Sequence, residues 1–169
     1  SGGADRAARV LSADGRRLVR TLPGHADAVR AVAVSPDGGA VATVNNGPSP
    51  HVRLYDARTW RDRRLFGHTR TIDALAFSDD GAVLASAGVD RTVRLWDAAA
   101  EGERGRLVGH AQEVSAVAFS PDRRAVVSAG TDGAAVVWQT GTRPHEPDDL
   151  LQLPGGGSGK GAQSPQSLL

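Results

Sequence analysis

The chain has 169 residues, enough for one domain with an apolar core of ordinary size. Its 20 Lys and Arg balance 19 Asp and Glu to a net charge of +1, so no long-range field draws it to nucleic acid or to an acidic surface. There is no cysteine, which excludes disulfides and thiolate metal sites, and the apolar runs fall far short of the roughly 20 residues that a bilayer helix needs, so no membrane insertion is expected.

The chain opens on Ser1-Gly2-Gly3 in what reads as the middle of a repeat, and it contains no Met. It is therefore expected to be a piece of a longer protein or a processed chain. Residues 8–13 (ARVLSA) line up with residues 93–98 (VRLWDA), which puts Leu11 at the place of Trp96 and Ser12 at the place of Asp97. They are expected to be the third strand of a truncated unit, with residues 17–22 as its outer strand. Residues 1–24 are thus assigned to the end of a preceding unit.

Three units follow. His25, His68 and His110 each come directly after a Gly, at separations of 43 and 42 residues. From each His it is 18 residues to Thr43, Ser86 and Ser128 respectively. A fixed period of this length marks stacked copies of one supersecondary unit. The first copy, residues 25–66, has the turn Ser35-Pro36-Asp37-Gly38 and a third strand ending in Tyr55-Asp56. Its second turn is two residues longer than in the next copy, because Thr43 to Tyr55 spans 12 positions where Ser86 to Trp96 spans 10. The Asp expected in that turn is missing.

The second copy, residues 67–108, is the most regular. Residues 71–77 alternate as a half-buried strand does. Ser78-Asp79-Asp80-Gly81 is a turn, since Asp and Ser bond their own backbone and Gly takes the positive φ. A second strand over 82–87, a turn at Gly88-Val89-Asp90-Arg91, a third strand over 92–97 and a charged outer strand over 104–108 complete four. The third copy, residues 109–153, repeats the pattern with Arg123 where Gly is usual, a third strand over 134–139 and an outer strand expected over 150–154. Residues 154–169 are Gly- and Ser-rich and are expected to be a flexible tail.

Four short antiparallel strands per unit, evenly spaced between turn residues, predict an all-β protein of blades in a radial array. The GH dipeptide, the SPDG or SDDG turn and the closing WD at this period resemble WD-repeat β-propellers. The resemblance covers roughly residues 9–153 and implies about three and a half blades, an incomplete ring. An open array has two bare edges, so completion by missing sequence or by self-association is expected. Arg used almost to the exclusion of Lys, with abundant Ala and Gly, reads as a GC-rich coding bias, and with the resemblance suggests a bacterial multidomain parent.

Each regular unit holds a His, a Ser and an Asp, the residue types of a hydrolase triad. Repetition favours scaffolding, because a catalytic site needs only one such set. The resemblance implies hydrogen-bonded structural tetrads of His68, Ser86, Asp90 and Trp96, and of His110, Ser128, Asp132 and Trp138. The first copy keeps only His25, Thr43 and Tyr55. Residues 155–161 echo a phosphate loop but have Pro154 and Gly161 where Gly and a hydroxyl residue are required, and the low-complexity match to a dinucleotide fingerprint lacks its βαβ context. The residues around His145-Glu146-Pro147-Asp148-Asp149 read as a solvated acidic loop, and the arginines of residues 61–64 as a charged exposed edge.

The expected function is a non-catalytic scaffold or sensor module with no cofactor, bound to a protein or peptide partner and located in the cytoplasm. The alternative is an accessory region of a signalling enzyme of ATPase or kinase type, its catalytic domain lying elsewhere; a hydrolase comes third. Where the resemblance puts the recognition loops stand Asp27, Thr69, Arg70, Gln112 and Glu113 after the outer strands, and Val89, Arg91 and Thr131 in the turns between second and third strands.

Overall fold

The structure, a computed structural model, describes residues 1–12, 14–47, 49–100 and 102–140. The expected outer strand over 150–154, the acidic segment around His145 and the Gly/Ser-rich tail lie outside the described residues. The described residues form thirteen strands and no helix, so none of them builds a helix able to cross a membrane.

Strands β1 (Ala8–Leu11) and β2 (Leu18–Leu22) pair as a two-stranded sheet. Strands β3 (Val29–Val34), β4 (Ala40–Asn45), β5 (His51–Asp56) and β6 (Asp62–Phe66) make the first full blade in that spatial order. Strands β7 (Ile72–Phe77), β8 (Val83–Gly88), β9 (Thr92–Asp97) and β10 (Glu103–Val108) make the second. Strands β11 (Val114–Phe119), β12 (Ala125–Gly130) and β13 (Ala135–Gln139) make the described part of the third. Every pairing is antiparallel between consecutive strands, which short turns of the Ser-x-Asp-Gly type permit. Ser35, Ser78 and Ser120 each donate to the Asp two residues on and accept the N–H that re-enters the next strand, so sequence chemistry alone builds these hairpins. At the same turn position, Arg123 adopts φ 61° where Gly38 and Gly81 have 71° and 70°; its guanidinium bonds Asp80 of the neighbouring blade at 2.7 Å.

The sheets stack so that one face of each blade packs on the opposite face of the next. Ala42, Val44, Val52, Leu54 and Leu65 of the first blade meet Ile72, Leu84 and Trp96 of the second. Ala85, Ala87, Val93, Leu95 and Leu107 of the second meet Val114, Val126 and Trp138 of the third. Ala8 and Leu22 meet Val29, Val41 and Tyr55 in the same way. Small residues on β4 and β8 let the aromatic ring or branched residue of the neighbour approach. Each fully buried Leu, Ile or Val contributes on the order of 2 kcal/mol, so the interfaces rather than single blades hold the array together. The described blades form no closed ring.

The two-stranded piece extends further than the repeat pattern suggests. Gly2 bridges Ala8, and Ser1 exchanges hydrogen bonds with Arg9, so residues 1–3 continue a strand beside β1. Asp5 and Arg6 then fall where Asp90 and Arg91 stand, and Arg6 and Arg91 share the positive φ, 64° and 66°.

Candidate functional site

At one end of the array the connections from each outer strand to the next inner strand meet the turns between second and third strands. In the second blade His68 is clamped there. Its Nδ1 lies 2.8 Å from Asp90 Oδ2, and its Nε2 lies 2.7 Å from Ser86 Oγ, which also accepts from Trp96 Nε1 at 2.8 Å. A carboxylate only accepts, so Nδ1 carries the proton, Nε2 accepts, and the Ser86 hydroxyl donates to it. One chain of donors and acceptors thereby ties four strand ends. The third blade repeats it: His110 Nδ1 is 3.0 Å from Asp132 Oδ2, His110 Nε2 is 2.8 Å from Ser128 Oγ, and Trp138 Nε1 donates to that oxygen at 2.8 Å. The N–H of Thr69 and of Ala111 also donates to the Asp of its blade.

Burial opposes the charge on Asp90, yet the His68 and Thr92 side chains and the Thr69 N–H hold its carboxyl below the usual carboxylate range. The N–H of Ala134, then that of Ala111 and the His110 ring, against an opposing burial effect, bring Asp132 to about 2. Ser86 and Ser128 are 0% and 1% exposed, and each hydroxyl is spent on His and Trp. A nucleophile without accessible surface cannot reach a substrate, so neither set can serve as a hydrolytic triad.

The Gly before each His has a steric reason. A Cβ on Gly109 would stand 2.9 Å from the Trp138 ring, and one on Gly67 would strike the Arg94 guanidinium. Glycines Gly88 and Gly130 are equally constrained: a Cβ on Gly130 would lie 2.7 Å from His110 Nδ1 and 2.8 Å from Asp132 Oδ1.

The first blade solves the same problem differently. His25 Nε2 still bonds Thr43 Oγ1 at 2.8 Å, but Tyr55, replacing Trp, donates to the Pro23 carbonyl at 2.8 Å instead of to Thr43. The N–H of Asn46 bonds the Ala28 carbonyl as that of Val89 bonds Thr71 and that of Thr131 bonds Glu113, which places Gly47 where the other blades have Asp. In turn, Asn45 takes the register place of Gly88 and Gly130. Glycine and polar residue have changed places: without a carboxylate at 47 there is room for a side chain at 45. His25 Nδ1 is buried without a hydrogen bond among the described residues, and burial, then the nearby Arg53 charge, lowers its pKa.

Sequence reasoning missed two buried arginines. Arg53 and Arg94 are each 7% exposed, on the third strand of the first and second blades. Arg53 bonds Asp62 at 2.7 Å, and Arg94 bonds Glu103, both on the outer strand nine residues on. The Arg shared by VRLYD and VRLWD, with an acid nine residues after it in both, was the available signal. The rim is also less idle than a charged edge: Arg63 donates to the carbonyls of Asp97 and Ala100 in the next blade.

Of the eight candidate recognition residues, Thr69, Arg70, Val89, Arg91, Gln112 and Glu113 line one open cleft of about 370 Å³ between the second and third blades, together with Asp90 and Ala111. Asp27 lies apart, its carboxylate 3.6 Å from where a Cβ on Gly47 would stand, and Thr131 is exposed outside the cleft lining. No group of three or more His, Asp or Glu among the described residues is placed to hold a metal.

Residues 16–56, 61–97 and 103–139 match the WD domain, G-beta repeat. The target of rapamycin complex subunit wat1 of Schizosaccharomyces pombe is 39% identical over 104 residues, covering 59% of this chain and 32% of that protein. Elongator complex protein 2 of the same yeast is 35% identical over 85 residues, 48% of this chain and 11% of that protein. The nuclear distribution protein PAC1 of Coccidioides posadasii is 29% identical over 120 residues, 60% of this chain and 26% of that protein. The chain thus spans a third or less of these relatives, and all three are eukaryotic, which lends no support to a bacterial parent. With its three copies of the repeat matched and its blades built from them, the chain belongs to the WD40-repeat family.

Proposed function

We propose that this chain is a non-catalytic interaction module that holds an extended stretch of a protein partner in the cleft between its second and third blades. The observation that carries the reading is the convergence of six loop residues from three separate connections on that one cleft. Its floor is rigid, since Asp90 is fixed by His68 and the N–H of Thr69. Its walls carry exposed groups of both signs, Arg70 and Arg91 against Glu113, as recognition of a polar main chain with charged side chains requires. That relatives are named as members of complexes agrees with a scaffold role.

The test begins with peptides selected by display against the purified chain. The triple variant Arg70→Ala/Arg91→Ala/Gln112→Ala should weaken their binding by at least about tenfold, or roughly 1.4 kcal/mol, with the unfolding transition unchanged. Retained affinity in a folded triple variant would place recognition elsewhere.

A further inference from the structure

Among the described residues, three acids of the outer rim are held in local ion pairs, which leaves exposed arginines there without a counter-charge. Asp62 bonds buried Arg53 and Glu103 bonds buried Arg94, while Asp97 pairs with Arg104 at 2.6 Å. Asp56 accepts from the N–H groups of Arg58 and Thr59. Arg61, Arg64 and Arg106 are exposed and form no ion pair among the described residues.

Strand β6 joins this charge to two further features. Its hydrogen-bonded neighbour is β5, so among the described residues its outer edge has no strand partner. Side chains alternate along it: Leu65 is buried against the second blade and Arg63 reaches that blade's carbonyls, whereas Asp62, Arg64 and Phe66 share the opposite face. A cleft of about 270 Å³ opens beside it, lined by Arg63, Arg64, Leu65 and Phe66 and, from the second blade, by Trp96, Gly102 and Glu103. Phe66 remains 59% exposed at the end of the strand.

We propose that an extended protein segment alternating apolar and acidic residues adds as a strand to the outer edge of β6. Its apolar side chains enter the cleft over Leu65 and Trp96, and its carboxylates meet Arg64. Strand addition uses the backbone edge for affinity and the two faces for selection. The basic edge repels a like strand and accepts an acidic one. A nucleic acid would use the arginines but neither the backbone edge nor the apolar floor, so a protein segment is the better fit. The site lies on the rim and is independent of the cleft between the second and third blades.

The experiment is a fluorescence anisotropy titration of a short labelled peptide alternating Glu and Leu with the whole chain. Saturable binding is expected, weakened by about tenfold or more in Arg64→Glu, whose side chain is exposed and forms no ion pair among the described residues, so that circular dichroism should not change. A peptide N-methylated at alternate amides should lose binding. The variant Arg70→Ala/Arg91→Ala/Gln112→Ala should bind like the wild type. No binding, unchanged affinity in Arg64→Glu, equal affinity for a control peptide alternating Lys and Leu, tighter binding of oligothymidylate, or loss of binding in the triple variant would each overturn the proposal.

Discussion

Replacing Asp90 by Ala removes the acceptor of four hydrogen bonds: from His68 Nδ1 at 2.8 Å, Thr69 N at 3.0 Å, Thr92 N at 3.2 Å and Thr92 Oγ1 at 2.8 Å. These donors do not suffer equally. Thr69 is exposed and Thr92 partly so, and their groups can turn to water. The His68 side chain has no exposed surface, and its Nδ1–H is left stranded. The ring can shift its proton to Nε2, but then the Ser86 hydroxyl loses its acceptor inside the same buried cluster. Stranding one buried donor that had faced an ionised acceptor costs about 1–3 kcal/mol, and the loss of the partly exposed bonds adds a little, so about 2–3 kcal/mol is expected. Equilibrium urea unfolding reads this directly. With a slope on the order of 2 kcal/mol/M, the midpoint of Asp90→Ala should fall by roughly 1 M at constant slope. Asp14, an exposed carboxylate in the turn between β1 and β2, is the control. A midpoint shift in Asp90→Ala no larger than that of Asp14→Ala would refute the claim that the buried relay holds the strand ends together.

The first blade offers the converse experiment. Gly47→Asp alone should not stabilise, because the Asn45 side chain takes the register place that glycine keeps open elsewhere, whereas Asn45→Gly/Gly47→Asp should gain about 1 kcal/mol in the same assay by giving His25 Nδ1 an ionised partner. Equal stability of the single and double variants would sink the exchange argument. Acid titration follows from the lowered carboxyl of Asp132. A group whose folded pKa is depressed contributes its stability above the unfolded pKa, so the contribution should be complete above 3.8 and fade as pH falls towards about 2. Unfolding midpoints measured from pH 6 downward should show a steeper acid loss for the wild type than for Asp132→Asn; parallel curves would remove Asp132 from the account.

Much of this architecture was legible along the chain because its signals are local. A Ser-x-Asp-Gly turn closes its own hairpin, as the bonds within Ser35 to Ala40 and Ser78 to Val83 show, and period-two alternation marks the faces of the strands. The His, Ser, Asp and Trp spacing was legible because each blade repeats one geometry. Residues 1–3 were harder to read, since Ser1 and Asp5, which stand where Ser86 and Asp90 do, have Leu11 in the place of the Trp.

Signals along the chain were enough for the repeat, the turns, the strands to within a residue or so, and the sets of polar residues that must pair. Tertiary structure alone decided which partner each one took. Arg53 and Arg94 look like ordinary polar positions until the outer strand lays an acid against them, and Arg63 looks like a solvated edge until the next blade brings its carbonyls within reach. Likewise, Gly47 and Asn45 read as a long turn with its Asp missing, and only register shows that they exchanged places. The physical reason is common to all three. Local turns and alternation are satisfied by neighbours in sequence, whereas burial of a charge or of a ring nitrogen is settled by whatever the adjacent strand or blade presents in space.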